Sequence, residues 1–469
     1  MEYFEKWKEK NKYSKSYAHF DNRRNLENVE KLIYNRNFVA KHGFYPFIYQ
    51  RKFFNKFKSG KLIKKYKFRD LYYAAHIDRY IYSYYGYLIN REYNIFTEKY
   101  DIDDVAVAYR NNSGKCNIDF AKQAFEFIKN NQNKTLNIFI GDFSNFFDML
   151  EHKYLKNNLL RILRTRKMPD DFYNVFKNIT KFSYFKLEKL LNLNHLGNSE
   201  IDLASLNSMQ KVLTLKQFKE NKHIIEKNKY NCGIPQGSPI SAVLSNVYMI
   251  DFDIKMKKYI KSLNGLYIRY SDDFIIILQE QEEDINGIYK NIFQIIYSIP
   301  LLRLQREKTK TFKIKNSIIT PTYIPDISDF SNKKNKIEFL GFEYDGKSIY
   351  LRERSITKYY SRLYAKINTI LKYKGITKTG KRISCKELYK KYSIKGTKNI
   401  FVDNKYSSNF FTYVNNSNKI FYVFKKNNKI RLKTKRHLIK IRRKLDLLSE
   451  TQEIDNKIYK EIIYKIWEI

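Results

Sequence analysis

The chain has 469 residues, 43% of them hydrophobic, enough to bury a core and to exclude a globally disordered polymer. Lys and Arg number 90 against 48 Asp and Glu, a formal net charge of +42, which points to a polyanionic partner and to nucleic acid first. AT-rich codon bias accounts for many Lys, Asn, Ile and Tyr residues but less well for the imbalance, since it raises Glu and Asp too. Cys116, Cys232 and Cys385 are scattered, with no C-x-x-C pair, which argues against a zinc ribbon and a disulfide framework. Met1 to Ser14 is charged and aromatic, and no run approaches the ~20 apolar residues of a membrane helix. A cytoplasmic protein without membrane contact is expected.

Residues 1–60 read as a basic, aromatic N-terminal extension. Its two clusters, His19-Phe20-Asp21-Asn22-Arg23 and His42-Gly43-Phe44-Tyr45-Pro46-Phe47-Ile48, are expected to pack onto the segment that follows. Residues 61–345 alternate helical and strand-like patterns, as in an α+β domain. Leu136-Asn-Ile-Phe-Ile140 predicts a buried strand ending at Gly141-Asp142. Ser238-Pro239 and Ile240 to Asn246 predict a loop opening into a helix. Leu266-Tyr-Ile-Arg-Tyr270 and Phe274-Ile-Ile-Ile-Leu278 predict a hairpin with Ser271-Asp272-Asp273 at its tip. Ile337 to Tyr344 and Ser348 to Leu351 predict a second hairpin around Asp345-Gly346, a dipeptide favoured in tight I′ turns. Residues 346–469 read as helical and basic. Ile356, Tyr360, Leu363, Ile367 and Ile370 make one apolar stripe, and residues 425–444 hold eleven Lys or Arg and no acid. Unopposed positive charge at that density favours contact with a phosphate backbone over a merely solvated face.

Taken singly, an Asp after a strand or an Asp pair in a turn is ordinary turn chemistry. The ordered set carries more. Gly141-Asp-Phe-Ser-Asn-Phe-Phe-Asp-Met-Leu150 is followed by Gly233-Ile-Pro-Gln-Gly-Ser-Pro239, then Tyr270-Ser-Asp-Asp273. Leu302-Arg-Leu-Gln-Arg-Glu-Lys-Thr309 and Phe339-Leu-Gly-Phe342 come last. This order resembles the palm of reverse transcriptases, in detail the bacterial enzymes related to those of group II introns and retrons. Lys67-Phe-Arg69, His76-Ile-Asp-Arg79 and Ala108-Tyr-Arg110 resemble the fingers motifs less sharply. The resemblance covers about residues 65 to 375.

The resemblance implies a right-hand polymerase with fingers and palm, followed by a helical basic thumb and C-terminal region. It implies an RNA-directed DNA polymerase using two Mg²⁺ ions, with Mn²⁺ as an alternative. Asp142 and Asp272 would hold the metals, with Asp273 in support and the Phe143 carbonyl completing one shell. Lys308 matches a late lysine that would protonate pyrophosphate. Lys67, Arg69 and Arg110 would clamp the triphosphate, and Gln236 would reach the nascent base pair. Phe147 would gate against a 2′-hydroxyl, although Phe146 and Phe147 are both also candidates for the core. Leu340 and Gly341 would turn the chain against the primer end, and Lys433, Lys435, Arg436, Arg442 and Arg443 would meet RNA. Implied partners are an RNA template, dNTPs and the DNA product. The overall arrangement resembles the defence-associated, anti-phage reverse transcriptases, which often work with a dedicated structured RNA or partner protein; a partner protein or a homo-oligomer is expected here. Two alternatives stay open: a template-independent terminal transferase on the same palm, and an inactive RNA-binding scaffold.

Overall fold

Phe47–Lys58 (β1) and Lys61–Tyr73 (β2) pair antiparallel into a long two-stranded ribbon. Strand pleating sorts its residues by face. Arg51↔Asp70 and Phe53↔Phe68 share one face, and Lys52↔Arg69 and Phe54↔Lys67 the other. The structure, a computed structural model, describes residues 2–58, 61–110, 114–280, 285–325, 335–372, 385–396, 401–402, 405–406 and 409–451. The chain forms two compact units, one of residues 1–114, 139–310 and 324–329, the other of 115–138, 311–323 and 330–469.

In the first unit the ribbon leads into His76–Lys99 (α1). Asp21 caps that helix, its carboxylate accepting from the His76 and Ile77 amides at 2.9 Å each. His19 is fully buried and its Nε2 meets the Tyr73 carbonyl at 3.1 Å, while His42 pairs with buried Asp78 at 2.7 Å. Both N-terminal clusters are therefore packing devices, as expected. Leu136–Asp142 (β3) is buried along its whole length. Ser183–Lys186 (β4) pairs parallel with β1, and Glu226–Lys227 (β5) closes that sheet in the order β2-β1-β4-β5. Ser241–Tyr248 (α2) and Ile250–Ser262 (α3) follow. Leu266–Tyr270 (β6) and Asp273–Gln279 (β7) then form the expected hairpin, and β7 lies beside β3. Phe274 to Leu278 are no more than 1% exposed, so this hairpin is a core element.

In the second unit, Lys310–Lys315 (β8) and Ile318–Thr322 (β9) make a hairpin, and Ile337–Phe339 (β10), Phe342–Tyr344 (β11) and Ile349–Leu351 (β12) an antiparallel sheet. Tyr344 pairs with Ile349, so the turn at Asp345-Gly346 is four residues long and not a two-residue I′ turn. The Asp345 carboxylate explains the length: it accepts from the Lys347 and Ser348 amides at 3.0 and 2.7 Å. Glu353–Lys372 (α4), Phe410–Ile420 (α5) and His437–Thr451 (α6) supply the helical part. The α4 stripe is Ile356, Tyr359, Leu363, Ile367 and Ile370; Tyr359, not Tyr360, takes the fully buried place, stacked on Phe410 at 4.5 Å. Among the described residues, no helix is long and apolar enough to cross a membrane.

Candidate active site

The site is built on neighbouring strands. Asp142 ends β3, Asp273 begins β7, and Asp272 sits in the two-residue turn left by the Tyr270↔Asp273 pair. Ser271, the first residue of that turn, has φ +62°, the positive value that a II′-type hairpin requires there. Such a conformation costs a non-glycine residue on the order of 1 kcal/mol or more. The Phe143 amide reaches the Asp272 carbonyl at 3.4 Å, joining the strand end to the turn. Asp142 is further held by its own carbonyl, which accepts from Gln305 at 2.7 Å.

Charge is concentrated here. The Lys308 ammonium donates to both carboxylate oxygens of Asp142, at 2.7 and 2.8 Å. Burial, and then the Asp142 charge, raise Asp272 above the ordinary carboxylate range. Asp273 is pushed up to about 8 by desolvation, then by Asp272 and Asp142, with Lys308 opposing. Lys67 on β2 has its ammonium pushed down by burial, by Lys308 and by Arg69, while Asp142 and Asp272 pull the other way. The same residues thus appear from both sides: Lys67, Lys308, Asp142, Asp272 and Asp273 form one electrostatic cluster.

The Gly233–Pro239 loop docks against both neighbours of that cluster. The Ile234 amide donates to the Phe147 carbonyl at 3.0 Å, and the Gln236 carbonyl accepts from the Tyr72 amide of β2 at 2.8 Å. Gly237 has φ +116°, and a Cβ there would stand 2.5 Å from the Tyr72 carbonyl oxygen. Only glycine allows that approach. The Ser241 hydroxyl at the start of α2 closes the loop on the Pro235 carbonyl at 2.7 Å. The Gln236 side chain is half-buried.

Of the two adjacent phenylalanines, Phe146 is the core residue, 4% exposed and stacked on Phe143. Phe147 is half-buried and meets Phe146 edge-on at 5.5 Å, which leaves it a free ring surface. Arg69 lies on the same ribbon face as Lys67. Arg110 is placed differently: its guanidinium is engaged by Asn94 at 3.0 Å and by the Asp103 carbonyl, not by the carboxylate cluster. In the second unit Leu340 and Gly341, at φ +45° and +96°, make the expected tight turn between β10 and β11. The Leu340 carbonyl accepts from Asn117 at 3.0 Å. Lys433, Lys435, Arg436, Arg442 and Arg443 are all exposed, while Ile430, Thr434, His437 and Ile441 between them are buried. Lys433 spends its charge on Glu353 at 3.0 Å.

Sequence reasoning gave no role to Arg269, Asp253 and Asn246, which lie directly behind the Ser271 turn. The available signal was an arginine inside an otherwise apolar strand.

An α+β fold with fingers and palm, carrying aspartates on neighbouring strands of the palm sheet, is that of a nucleotide polymerase. The family model for reverse transcriptase (RNA-dependent DNA polymerase) matches residues 91–344, and the chain belongs to that family. No curated protein matches it in sequence. Among solved structures, telomerase from Candida albicans in complex with a TWJ fragment of telomeric RNA is 15% identical at a TM-score of 0.38, with 93% of this chain and 65% of that one covered. Apo telomerase from Candida tropicalis is 12% identical at a TM-score of 0.37, over 90% of this chain and 61% of that one. Its form truncated from the C-terminal domain is 12% identical at 0.37, over 60% and 51%. The chain therefore spans between half and two thirds of the length of these telomerases.

Proposed function

We propose that this chain is an RNA-directed DNA polymerase that adds dNTPs by two-metal phosphoryl transfer, and that it serves bacterial anti-phage defence with a dedicated non-coding RNA. The observation that carries the catalytic part is the grouping of Asp142, Asp272 and Asp273 with Lys308 and Lys67, inside a chain of the reverse transcriptase family.

The donor set suits Mg²⁺. Among the described residues no group of three carboxylate, imidazole or thiol side chains is arranged to hold a metal ion by itself. Mg²⁺ does not need one, since it keeps waters and takes further oxygens from substrate phosphates. Crowded carboxylates that resist ionisation, as Asp272 and Asp273 do, are relieved by a cation. Asp142, Asp272 and the Phe143 carbonyl would hold the ions, with Asp273 in support. Bound there, Mg²⁺ or Mn²⁺ supplies the Lewis-acid charge that activates a 3′-hydroxyl and steadies leaving pyrophosphate. Lys308 then has two tasks: it neutralises Asp142 beforehand, and it gives a proton to the leaving group. Lys67 and Arg69 grip the triphosphate, Gln236 meets the new base pair, and Phe147 presents its free surface to the sugar. In this reading Arg110 joins that grip too, with its Nε held by Asn94 and one terminal nitrogen by the Asp103 carbonyl.

In this reading residues 1–60 are an N-terminal extension, 61–345 the fingers and palm, and 346–469 the thumb and basic C-terminal region. Leu340 and Gly341 support the primer end, and the exposed cations of 425–444 hold RNA by its backbone. The defence role rests on the resemblance of that arrangement, and a partner protein or self-association belongs with it. The test is to purify the chain, sequence its co-purified nucleic acid and supply that RNA with dNTPs. DNA complementary to one recurrent RNA is expected. Synthesis indifferent to RNA would make the protein a terminal transferase, and no synthesis at all would make it a scaffold.

A further inference from the structure

Arg269 lies in the middle of β6 and has no exposed surface, and neither has its partner Asp253 on α3. A buried guanidinium is tolerable only if its donors are met. Nε and one terminal nitrogen grip the Asp253 carboxylate at 2.8 and 2.6 Å. The other terminal nitrogen donates to the Ser271 carbonyl at 2.9 Å and to Asn246 Oδ1 at 3.2 Å. Each partner is fixed in turn. Tyr267 donates to Asp253 at 2.7 Å, and Asn246 donates to the Ala108 carbonyl at 2.8 Å. The Arg269 backbone is pinned as well, its amide to Val105 at 2.8 Å and its carbonyl to the Val107 amide at 3.1 Å.

The Ser271 carbonyl belongs to the peptide that leads into Asp272. Ser271 is the residue with φ +62°, a conformation that relaxes unless its surroundings hold it. Stability alone explains the pair poorly, since a buried ion pair is often replaced by apolar residues at no cost. An apolar replacement cannot hold a carbonyl, however.

We infer that Arg269, with Asp253 as its counter-ion, is a positioning residue that fixes the Ser271–Asp272 turn and so aims the Asp272 and Asp273 carboxylates. This rests on the reading of those aspartates as catalytic. Two variants separate positioning from stability. Arg269→Lys keeps a charge for Asp253 but cannot reach the Ser271 carbonyl at the same time. The pair Arg269→Met with Asp253→Leu removes both charges together, so no lone ion is left buried to unfold the chain. Both are compared with the parent in thermal unfolding, RNA binding, kcat and KM for dNTP, and Mn²⁺ affinity read by electron paramagnetic resonance.

The expected result for the folded double variant is unchanged RNA binding, a KM within about threefold, kcat lowered at least tenfold and weakened Mn²⁺ binding. A double variant with parental kcat and Mn²⁺ affinity would overturn the inference, as would a lowered melting temperature with parental kcat in the folded protein. Asp272→Asn is the control. If it remains active, the catalytic reading fails. If it is inactive while the double variant works normally, only the positioning role fails.

Discussion

Two hairpins of the first unit make opposite use of the same geometry. The β6–β7 hairpin has a core strand, Phe274 to Leu278, and a tip held from behind by a buried guanidinium. The β1–β2 ribbon is long, and Phe53, Phe54 and Phe68 on it are 45–50% exposed. The first holds the carboxylates that the proposed function fixes relative to Asp142. The second carries Lys67 and Arg69, long flexible cations suited to a substrate that arrives and leaves. On the proposed reading, the metal-holding charges sit at the ends of buried strands and the gripping charges on an exposed ribbon.

That contrast can be broken most severely at its rigid end. Asp142→Asn or Asp272→Asn is expected to lower incorporation by roughly a thousandfold or more while RNA binding and melting temperature stay near parental values. Undiminished incorporation by either purified variant would remove the two-metal assignment. On the flexible side, Lys67→Ala with Arg69→Ala should raise KM for dNTP by about tenfold or more without destabilising the fold, since both residues are exposed. Steady-state kinetics decide this, and a change confined to kcat would count against a gripping role.

The two phenylalanines sharpen the same distinction within one segment. Phe146→Ala should cost about 3 kcal/mol or more in stability, as core phenylalanines do. Phe147→Ala should cost less and should raise ribonucleotide use severalfold relative to deoxynucleotide use, measured as the ratio of kcat/KM. An unchanged ratio would return Phe147 to a packing role.

The smallest effect is expected at the ribbon's base. Burial pushes His19 down to about 3, against an ordinary value of 6.5. The unfolded chain therefore takes up a proton below pH 6.5 that the folded chain refuses. Stability from this group is full above pH 6.5 and is lost as pH falls, by about 1 kcal/mol between pH 6.5 and 5.5. Denaturant melts across that range should show the slope, and His19→Asn should reduce it, with His76, His152 and His437, also pushed down by burial, supplying the rest.

The strands and their aspartates were legible because each lies in a contiguous stretch whose apolar run and turn residues agree. In the tail, the sequence marks the exposed cations among buried Ile430 and Ile441, and the partner of those cations stays a proposal. The support of the active site was not. Arg269 meets Asp253 and Asn246 from 16 and 23 residues away, and no local pattern records such partners. Tyr359 and Tyr360 stand next to each other, both within reach of one helix face, and the packing of Phe410, Phe411 and Tyr392 on Tyr359 decides between them. Arg110 reads as a substrate ligand by type, and the partners that orient it, Asn94 and the Asp103 carbonyl, again lie outside any motif.

The contact of Gly237 under Tyr72 has a mechanical meaning. If the ribbon tilts as a lever, this contact lies near the end where β2 runs into α1. Lys67 is five residues along β2 from Tyr72, a moment arm of about 16 Å at the usual strand rise. A tilt of about 6° at the pivot moves the base of that side chain by about 2 Å. The Tyr72 amide hardly moves in such a swing, and it is bonded to the Gln236 carbonyl. A tilt of the ribbon would therefore shift Lys67 and leave the Tyr72–Gln236 contact in place.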